Sequence, residues 1–280
     1  MSAVVSEPME TPPASPFDAM AAGYDAGFTY SRIGTLIRQA VWRRLDARFA
    51  PGDRLLELNC GTGEDAVYLG QRGIQVLATD ASPAMVQVAR AKVAARGLTT
   101  CVDVRPLAIE ALDAAALGGK SAAFDGALSN FGGLNCVADW KSAARSLGEC
   151  IRPGGIVLLC VMGPLCPWEW GWHLLRRRPE KAFRRLRHGG VSWRGVTVRY
   201  PSIGRLRRAF QPSFRPLRVS AVGALLPPTY AEAWAERHPR LLTRLDSWER
   251  RCENWPLIPY LADHYLLELE RMEREAPCRP

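Results

Sequence analysis

Short apolar stretches alternate with helical stretches along the first 162 residues of the chain. Leu55, Leu56 and Leu58 predict a buried strand that runs directly into Cys60-Gly61-Thr62-Gly63. Because buried strands that alternate with helices form a parallel sheet covered on both faces, the pattern predicts a doubly wound α/β fold. Further strands are predicted at 75–79, 100–105, 125–129 and 156–161, with one or two helices at 17–49 and others at 64–72, 82–97 and 138–151.

The pattern after residue 162 is less regular. Strands are predicted at 195–200 and 217–226, and helices at 203–210 and within 230–253. The last apolar stretch, 265–269, predicts an antiparallel strand at the edge of the sheet. These elements divide the chain into a flexible tail (1–16), a core with an N-terminal helical cap (17–162), an insertion after the fifth strand (163–199), and a part that completes the sheet and adds C-terminal helices (200–280).

The composition of the 280 residues is that of a globular protein. Hydrophobic residues make up 48% and charged residues 23%, which excludes a disordered or fibrous chain. No apolar run reaches the roughly 18 to 20 residues that a membrane span needs, and residues 1–16 lack the features of a secretory signal. We therefore expect a soluble, cytoplasmic protein. The eight cysteines form no C-x-x-C pair and none is spaced with a His as zinc ligands, so we expect no metal site.

The net charge of +9 is concentrated in one segment of the chain. Residues 151–220 contain fifteen Lys and Arg against only Glu169 and Glu180, so this segment carries +13 and the remainder −4. A basic segment in an otherwise mildly acidic chain indicates an anionic partner, which can be nucleic acid, a phosphorylated substrate or a lipid surface. The alternative is a solvated, Arg-rich helix face without a partner.

A glycine-rich turn after the first strand is the strongest candidate for a binding site. Gly61 and Gly63 allow a tight turn and a close approach of the backbone to a ligand. Asp80 ends the second predicted strand, where its carboxylate can accept hydrogen bonds from both hydroxyls of a ribose. Gly61, Gly63 and Ala66 also match the G-x-G-x-x-G/A pattern, so a nicotinamide or flavin dinucleotide is an alternative ligand.

Five motifs in the same order resemble those of the class I S-adenosylmethionine-dependent methyltransferases, which have a Rossmann-like fold. The resemblance covers 17–162, about half of the chain, and its order disfavours the dinucleotide alternative. The motifs are Leu56-Glu57-Leu58-Asn59-Cys60-Gly61-Thr62-Gly63, Asp80 within 78–82, 124–130 at the fourth strand, 147–155 before the fifth strand, and Phe17-Asp18 with Tyr24-Asp25, which are similar to a short helix that closes over the cofactor.

This resemblance implies S-adenosylmethionine as the cofactor and a role for individual residues. Gly61 and Gly63 would line its methionine part, with Glu57 beneath the loop, and Asp80 would hold the ribose. Many relatives place an acid at 107–109 to receive the adenine amino group, whereas this chain offers only Glu110, one or two positions later. Backbone groups together with Asp103 or Glu110 are open as its replacement. The implied cofactor residues are Tyr24, Glu57, Asn59, Gly61, Thr62, Gly63, Asp80, Ala81, Met85, Ala108, Ile109 and Asn130, with Leu107 beside the last group.

The methyl acceptor is harder to predict than the cofactor. Residues 130–135 lack the Asn/Asp-Pro-Pro-aromatic signature of relatives that methylate amino groups of nucleic-acid bases. In the insertion, three tryptophans precede a run of three arginines: Trp168, Trp170 and Trp172 come before Arg176-Arg177-Arg178. It has three alternative interpretations: a lid over a hydrophobic or aromatic small molecule, an interfacial helix at a membrane surface, or an RNA-binding face. We adopt the first.

The sequence therefore predicts a methyltransferase that acts on a small hydrophobic or aromatic metabolite, with the acceptor atom and the oligomeric state undetermined. The alternatives are an RNA methyltransferase that uses the basic segment and a protein that binds S-adenosylmethionine without turnover. His173 is the predicted general base, because its pKa lies near neutrality and it belongs to the predicted lid. Tyr200, Glu169 and His264 are its rivals, and proximity alone is the remaining possibility.

Overall fold

One seven-stranded sheet organises the chain, in the order β3-β2-β1-β4-β5-β9-β8. The computed structural model describes residues 15–113, 115, 117 and 122–273. All neighbouring strands pair in parallel except β9, which runs antiparallel to both β5 and β8. The strands are β1 Arg54–Leu58, β2 Gln75–Asp80, β3 Val102–Pro106, β4 Phe124–Ser129, β5 Ile151–Met162, β6 Val191–Trp193, β7 Val196–Val198, β8 Phe214–Val222 and β9 His264–Arg271.

The predicted doubly wound, mostly parallel α/β fold is confirmed, with one refinement at the sheet's end. The last strand, β9, is antiparallel as predicted, but it lies between β5 and β8, so that β8 forms the edge. This position gives β9 a neighbouring strand on each side and buries it almost completely, including the charged Glu268 and Arg271.

Helices cover both faces of the sheet. Ser31, Ser82, Asp139 and Ser202 each accept a hydrogen bond from a backbone N–H in the first turn of a helix, which satisfies groups that a helix leaves free. The helices are α1 Ala21–Tyr24, α2 Arg32–Asp46, α3 Glu64–Gln71, α4 Pro83–Ala95, α5 Trp140–Cys150, α6 Pro167–Leu174, α7 Pro179–Ala182, α8 Ile203–Phe210, α9 Glu232–Arg237 and α10 Pro239–Cys252.

Two hydrophobic clusters lie on opposite faces of the sheet. One packs α2, α3 and α4 against it, and the other packs α5 and α8. Strand β1 pairs with β2 on one side and β4 on the other, so the order of the strands reverses beside β1. In a doubly wound sheet, ligands bind outside the carboxyl ends of the strands at this point. The fold therefore places the glycine-rich turn where a ligand is expected.

The insertion after β5 contains helices and a small hairpin. Helices α6 and α7 pack together, and the chain then forms a separate two-stranded sheet from β6 and β7. The sequence predicted the second of these strands, within 195–200, but missed the first. Among the described residues, no helix is both long enough and apolar enough to cross a bilayer.

Candidate cofactor and acceptor site

A cavity of about 630 Å³ opens at the carboxyl ends of β1, β2 and β4. Nine of the twelve predicted cofactor residues line it: Tyr24, Asn59, Gly61, Thr62, Asp80, Ala81, Met85, Ile109 and Asn130. Glu57, Gly63 and Ala108 are not among its lining residues. Ser15 and Pro16, the described end of the predicted tail, also line it, whereas residues 1–14 lie outside the described part of the chain.

The two glycines of the turn after β1 serve different purposes. Both adopt positive φ angles, +54° at Gly61 and +76° at Gly63, which favour glycine. A Cβ added to Gly63 would lie 2.8 Å from the Cβ of Ala89, so this position also allows α3 and α4 to approach each other. A Cβ at Gly61 would meet nothing within 4 Å. Gly61 therefore leaves open space on the cavity side of the turn.

Asp80 connects the turn to the start of α4. Its Oδ2 accepts a hydrogen bond from the Gly61 N–H at 2.8 Å, and its Oδ1 accepts one from the Ser82 N–H at 2.8 Å. Burial raises the pKa of this carboxyl above its ordinary value, although both backbone hydrogen bonds oppose the shift. Each oxygen keeps a further lone pair, and Asp80 lines the cavity. The carboxylate thus fits two ribose hydroxyls, as the sequence predicts.

A second polar group in the cavity was missed by sequence analysis. Asp65 accepts hydrogen bonds from Arg38 Nη1 and Trp42 Nε1, both at 2.6 Å, and from Asn130 Nδ2 at 2.9 Å. Arg38 and Asp65 both line the cavity, and the Arg38 guanidinium lies 4.9 Å from the centre of the Phe131 ring. A charged residue on the otherwise apolar, buried face of α2 was the signal that could have identified Arg38.

The N-terminal segment is fastened to the turn by polar contacts. Thr62 Oγ1 donates a hydrogen bond to Asp25 at 2.6 Å, and Lys92 pairs with both Asp25 and Glu64 at 2.8 Å. Asp18 accepts hydrogen bonds from Ser82 and Ala84 at the start of α4. These contacts bring Tyr24 to the cavity, where burial raises the pKa of its hydroxyl to about 12.

Glu57 lies beneath the turn in a wholly buried position. Its Oε2 has no hydrogen-bond partner among the described residues. Burial raises the pKa of this carboxyl well above the ordinary value of 4.5, and the nearby Asp65 adds to the shift. Glu57 is therefore protonated in the folded protein over a pH range in which the unfolded chain would ionise it.

We expect Glu57→Gln to stabilise the protein at alkaline pH. A group whose pKa is raised by folding contributes most below its unfolded pKa, and that contribution is lost as pH rises toward the folded pKa. The glutamine keeps the shape but does not ionise, so the difference in free energy of unfolding between variant and wild type should grow from pH 5 to pH 8. Urea unfolding at several pH values measures it; a constant difference would contradict the protonated state of Glu57.

An apolar wall forms another part of the cavity lining. It comes mainly from the β6–β7 hairpin, and the Trp193 ring lies 5.3 Å from that of Phe17 in the N-terminal segment. Trp168, Trp170 and Trp172 do not line the cavity; Trp168 Nε1, for example, donates to the carbonyl of Leu225. The lid tryptophan is thus Trp193, which sequence analysis did not select. The wall consists of Phe17, Val137, Met162, Val191, Trp193, Val196 and Val198.

The predicted general base does not reach this cavity. The His173 ring lies 5.5 Å from that of Tyr230, outside the lining, and burial lowers the pKa of His173. Its rivals Glu169 and His264 do not line the cavity either, whereas Tyr200 does. The geometry therefore argues against His173 as a base and leaves Tyr200 as the candidate that faces an acceptor.

The positions of Asp103 and Glu110 bear on which of them could contact the adenine. Glu110 lines the cavity, whereas the carboxylate of Asp103 pairs with Arg105 at 2.7 Å and does not line it. Of these two carboxylates, Glu110 is the one that lines the cavity, and its contact with the adenine stays a prediction.

One acidic cluster resembles a metal site but is occupied by a cation of the chain itself. Ligand atoms of Cys166, Glu169 and Asp263 lie within 4.8 Å of one another. Arg185 donates to Glu169 Oε2 at 2.7 Å and to the carboxylate of Asp263, which neutralises this cluster. We therefore assign it to structural ion pairing.

Comparisons with known proteins agree with this geometry. Residues 55–155 match a protein family described as a methyltransferase domain. Demethylmenaquinone methyltransferase of Thermus thermophilus is 35% identical over 154 residues, which cover 53% of this chain and 64% of that protein. The corresponding protein of Mycobacterium marinum is 31% identical over 150 residues, which cover 52% of this chain and 58% of that protein. The chain thus matches less than two thirds of these relatives.

A solved structure shares the fold over a longer part of the chain. It is a geranyl diphosphate C-methyltransferase from Streptomyces coelicolor in complex with Mg²⁺, geranyl diphosphate and S-adenosyl-L-homocysteine. The likeness covers 94% of this chain and 86% of that chain, with a TM-score of 0.56 and 13% sequence identity. At this identity the likeness shows the fold, and the chemistry has to be argued from the residues of the cavity.

Proposed function

We propose that this chain, which belongs to the class I S-adenosylmethionine-dependent methyltransferase family, transfers a methyl group to a small hydrophobic or aromatic molecule. One observation carries the proposal: the lining of a single cavity combines Asp80 and the Gly61 turn with the apolar wall of the β6–β7 hairpin. An enzyme of this class needs a cofactor and an acceptor in contact within one enclosure, since much of its catalysis is positioning.

The cofactor, S-adenosylmethionine, supplies a methyl group already activated on a positively charged sulfur. Asp80 would hold its ribose hydroxyls, with Met85 and Ile109 beside the adenosine and Glu110 at the adenine. The methionine part would lie toward the Gly61 turn and Asn130, which Asp65 orients. Each role matches a side chain that lines the cavity.

The chemical class of the methyl acceptor is inferred from the apolar wall of the cavity. Valine side chains and Trp193 offer apolar area without ion pairs, which suits a hydrophobic or aromatic molecule. The relatives named for demethylmenaquinone support a small organic acceptor. Tyr200 is our candidate for contact with a polar acceptor atom, because it lines the cavity and its hydroxyl can donate a hydrogen bond; burial raises the pKa of this hydroxyl. The expected cytoplasmic location stays a prediction.

A direct test is transfer of a labelled methyl group into a metabolite extract, with the product identified by mass. We expect label in a small, apolar product, together with calorimetric binding of S-adenosylmethionine. Binding without any labelled product would instead support a non-catalytic protein. Label in RNA, with affinity that falls steeply as salt increases, would support the nucleic-acid alternative.

Trp193→Ala should impair acceptor binding and leave cofactor binding intact. Large aromatic side chains in a binding site contribute about 2 kcal/mol or more, so we expect the acceptor KM to rise roughly tenfold to thirtyfold. Steady-state kinetics with the identified acceptor measures it. Trp168→Ala is the matched control, because this tryptophan lies outside the cavity. An equal rise in both variants would refute the assignment of the wall.

A further inference from the structure

The end of α6, the whole of α7 and the turn that follows expose an unusual set of side chains, which we call the 174–187 surface. Its apolar members are Leu174, Leu175, Phe183 and Leu186, all exposed. Leu175 is the extreme case, with 86% of its surface accessible. Exposure of this much apolar surface to water within fourteen residues is unfavourable. Exposed apolar patches of this kind mark interaction sites.

Basic side chains surround these apolar residues. Arg176, Arg177, Arg178, Lys181 and Arg187 are all exposed, against Glu180 as the single acid between 174 and 187. The structure gives none of these five an ion pair with any residue it describes. The surface therefore carries a net charge of +4 that the chain does not neutralise locally, since Arg184 and Arg185 are already paired with Glu169 and Asp263.

Two buried residues, Ala182 and Arg185, anchor the 174–187 surface to the rest of the fold. Arg185 and Ala182 point inward, and Arg185 binds both Glu169 and the backbone carbonyl of Asp263, which begins the final stretch of the sheet. At its border, Arg176 stacks on Trp172 at 3.5 Å from the ring centre, and Trp172 contacts the exposed Tyr230. Trp and Tyr beside Leu, Phe and Arg are the side chains that prefer the headgroup region of a bilayer.

We propose that the 174–187 surface docks on an anionic lipid bilayer. The leucines and Phe183 would enter the boundary between headgroups and acyl chains, and the five cations would lie against lipid phosphates. RNA matches the charge and the aromatic rings but not the exposed Leu174, Leu175 and Leu186, because aliphatic side chains offer bases nothing to stack on. Charge complementarity and exposed aliphatic area together favour the bilayer.

Docking would bring the cavity toward the membrane. Arg184 belongs to the same turn as Phe183 and Leu186, and it lines the cavity. A hydrophobic acceptor dissolved in the bilayer would then lie near the apolar wall. The docking itself involves no cofactor, so its test is independent of methyl transfer.

The test is flotation of the full-length protein with vesicles of phosphatidylcholine alone and with added phosphatidylglycerol. We expect binding to the anionic vesicles and little to the neutral ones. Leu175→Glu with Phe183→Glu should lower the partition coefficient by roughly tenfold or more, and Arg176→Ser with Arg177→Ser and Arg178→Ser by about a hundredfold at low salt. Leu257→Glu, at an equally open leucine with 74% exposure, is the control and should change nothing.

Several results would overturn the proposal. They are failure of the wild type to bind anionic vesicles, equal binding to neutral vesicles, and a loss in Leu257→Glu as large as that in the surface variants. Tight RNA binding that the Arg variants abolish, without vesicle binding, would assign the surface to nucleic acid. Dimers in sedimentation that Leu175→Glu dissociates, again without vesicle binding, would assign it to a second copy of the chain. Unchanged thermal unfolding of the variants verifies that they are folded.

Discussion

Asp80→Ala is expected to lower the affinity for S-adenosylmethionine by roughly a hundredfold. Hydrogen bonds to a charged group contribute about 1.5 to 3 kcal/mol each, and the carboxylate is placed to accept two from the ribose. The substitution also frees the N–H groups of Gly61 and Ser82, which Asp80 holds at 2.8 Å, so the turn itself loses its support. The loss of the ribose hydrogen bonds and the loss of support for the turn both weaken the binding of S-adenosylmethionine.

Calorimetric titration with S-adenosylmethionine and with S-adenosylhomocysteine measures this loss, and the two ligands should be affected alike because they share the ribose. Asp103→Ala is the matched control. Asp103 lies on the neighbouring strand β3, pairs with Arg105 and does not line the cavity. Unchanged affinity in Asp80→Ala, or the same loss in Asp103→Ala, would refute the ribose assignment.

Arg185→Met is expected to destabilise the fold by about 3 to 5 kcal/mol, since removal of one partner leaves buried charges unpaired. Glu169 is completely buried and Asp263 nearly so, and both depend on this guanidinium. Glu169 retains Arg184, whereas the Asp263 carboxylate keeps contacts with His264 at 3.2 Å and with Cys166 Sγ at 3.9 Å. The variant would therefore loosen the insertion from the end of the sheet.

Urea unfolding at neutral pH measures the effect, with Arg187→Met as the control. Arg187 is exposed and two positions away, so its replacement should change stability by no more than about 0.5 kcal/mol. A similar change in both variants would show that the ion pairs contribute no more than a surface charge.

The free energies of unfolding of the wild type and of Arg185→Met should approach each other at acid pH. Burial alone would raise the pKa of Asp263, but Arg185 and His264 outweigh it and hold that pKa far below the ordinary 3.8. A lowered folded pKa gives stability that is present above the unfolded pKa and is lost as pH falls toward the folded one. The stability difference between wild type and Arg185→Met should accordingly shrink below pH 4.

The cofactor side was predictable from sequence because its geometry follows from the fold. The carboxyl ends of parallel strands meet at one edge, so Asp80 after β2 and the turn after β1 had to be neighbours. Arg38 and Asp65 were missed because neither belongs to such a turn. They meet through side-chain contacts between α2 and α3. A charged residue on the apolar face of α2 was a signal for Arg38, but the local pattern does not show that Asp65 is its partner.

The acceptor side was predicted less well for a related reason. Trp168, Trp170 and Trp172 were interpreted as part of a lid, and His173 was chosen as a base because it belonged to that lid. A sequence pattern does not show which parts of the fold a segment will contact. Four residues of the wall, Trp193 among them, belong to the β6–β7 hairpin, whose first strand was not predicted.

The contact between Phe17 and Trp193 lies at the cavity but outside the seven-stranded sheet. Neither ring belongs to the seven-stranded sheet: Phe17 precedes the first helix, and Trp193 lies in the separate hairpin. The two rings can part without breaking a single pairing between the seven strands. Substitution of either ring therefore removes a contact at the cavity while every strand pairing of the seven-stranded sheet is kept.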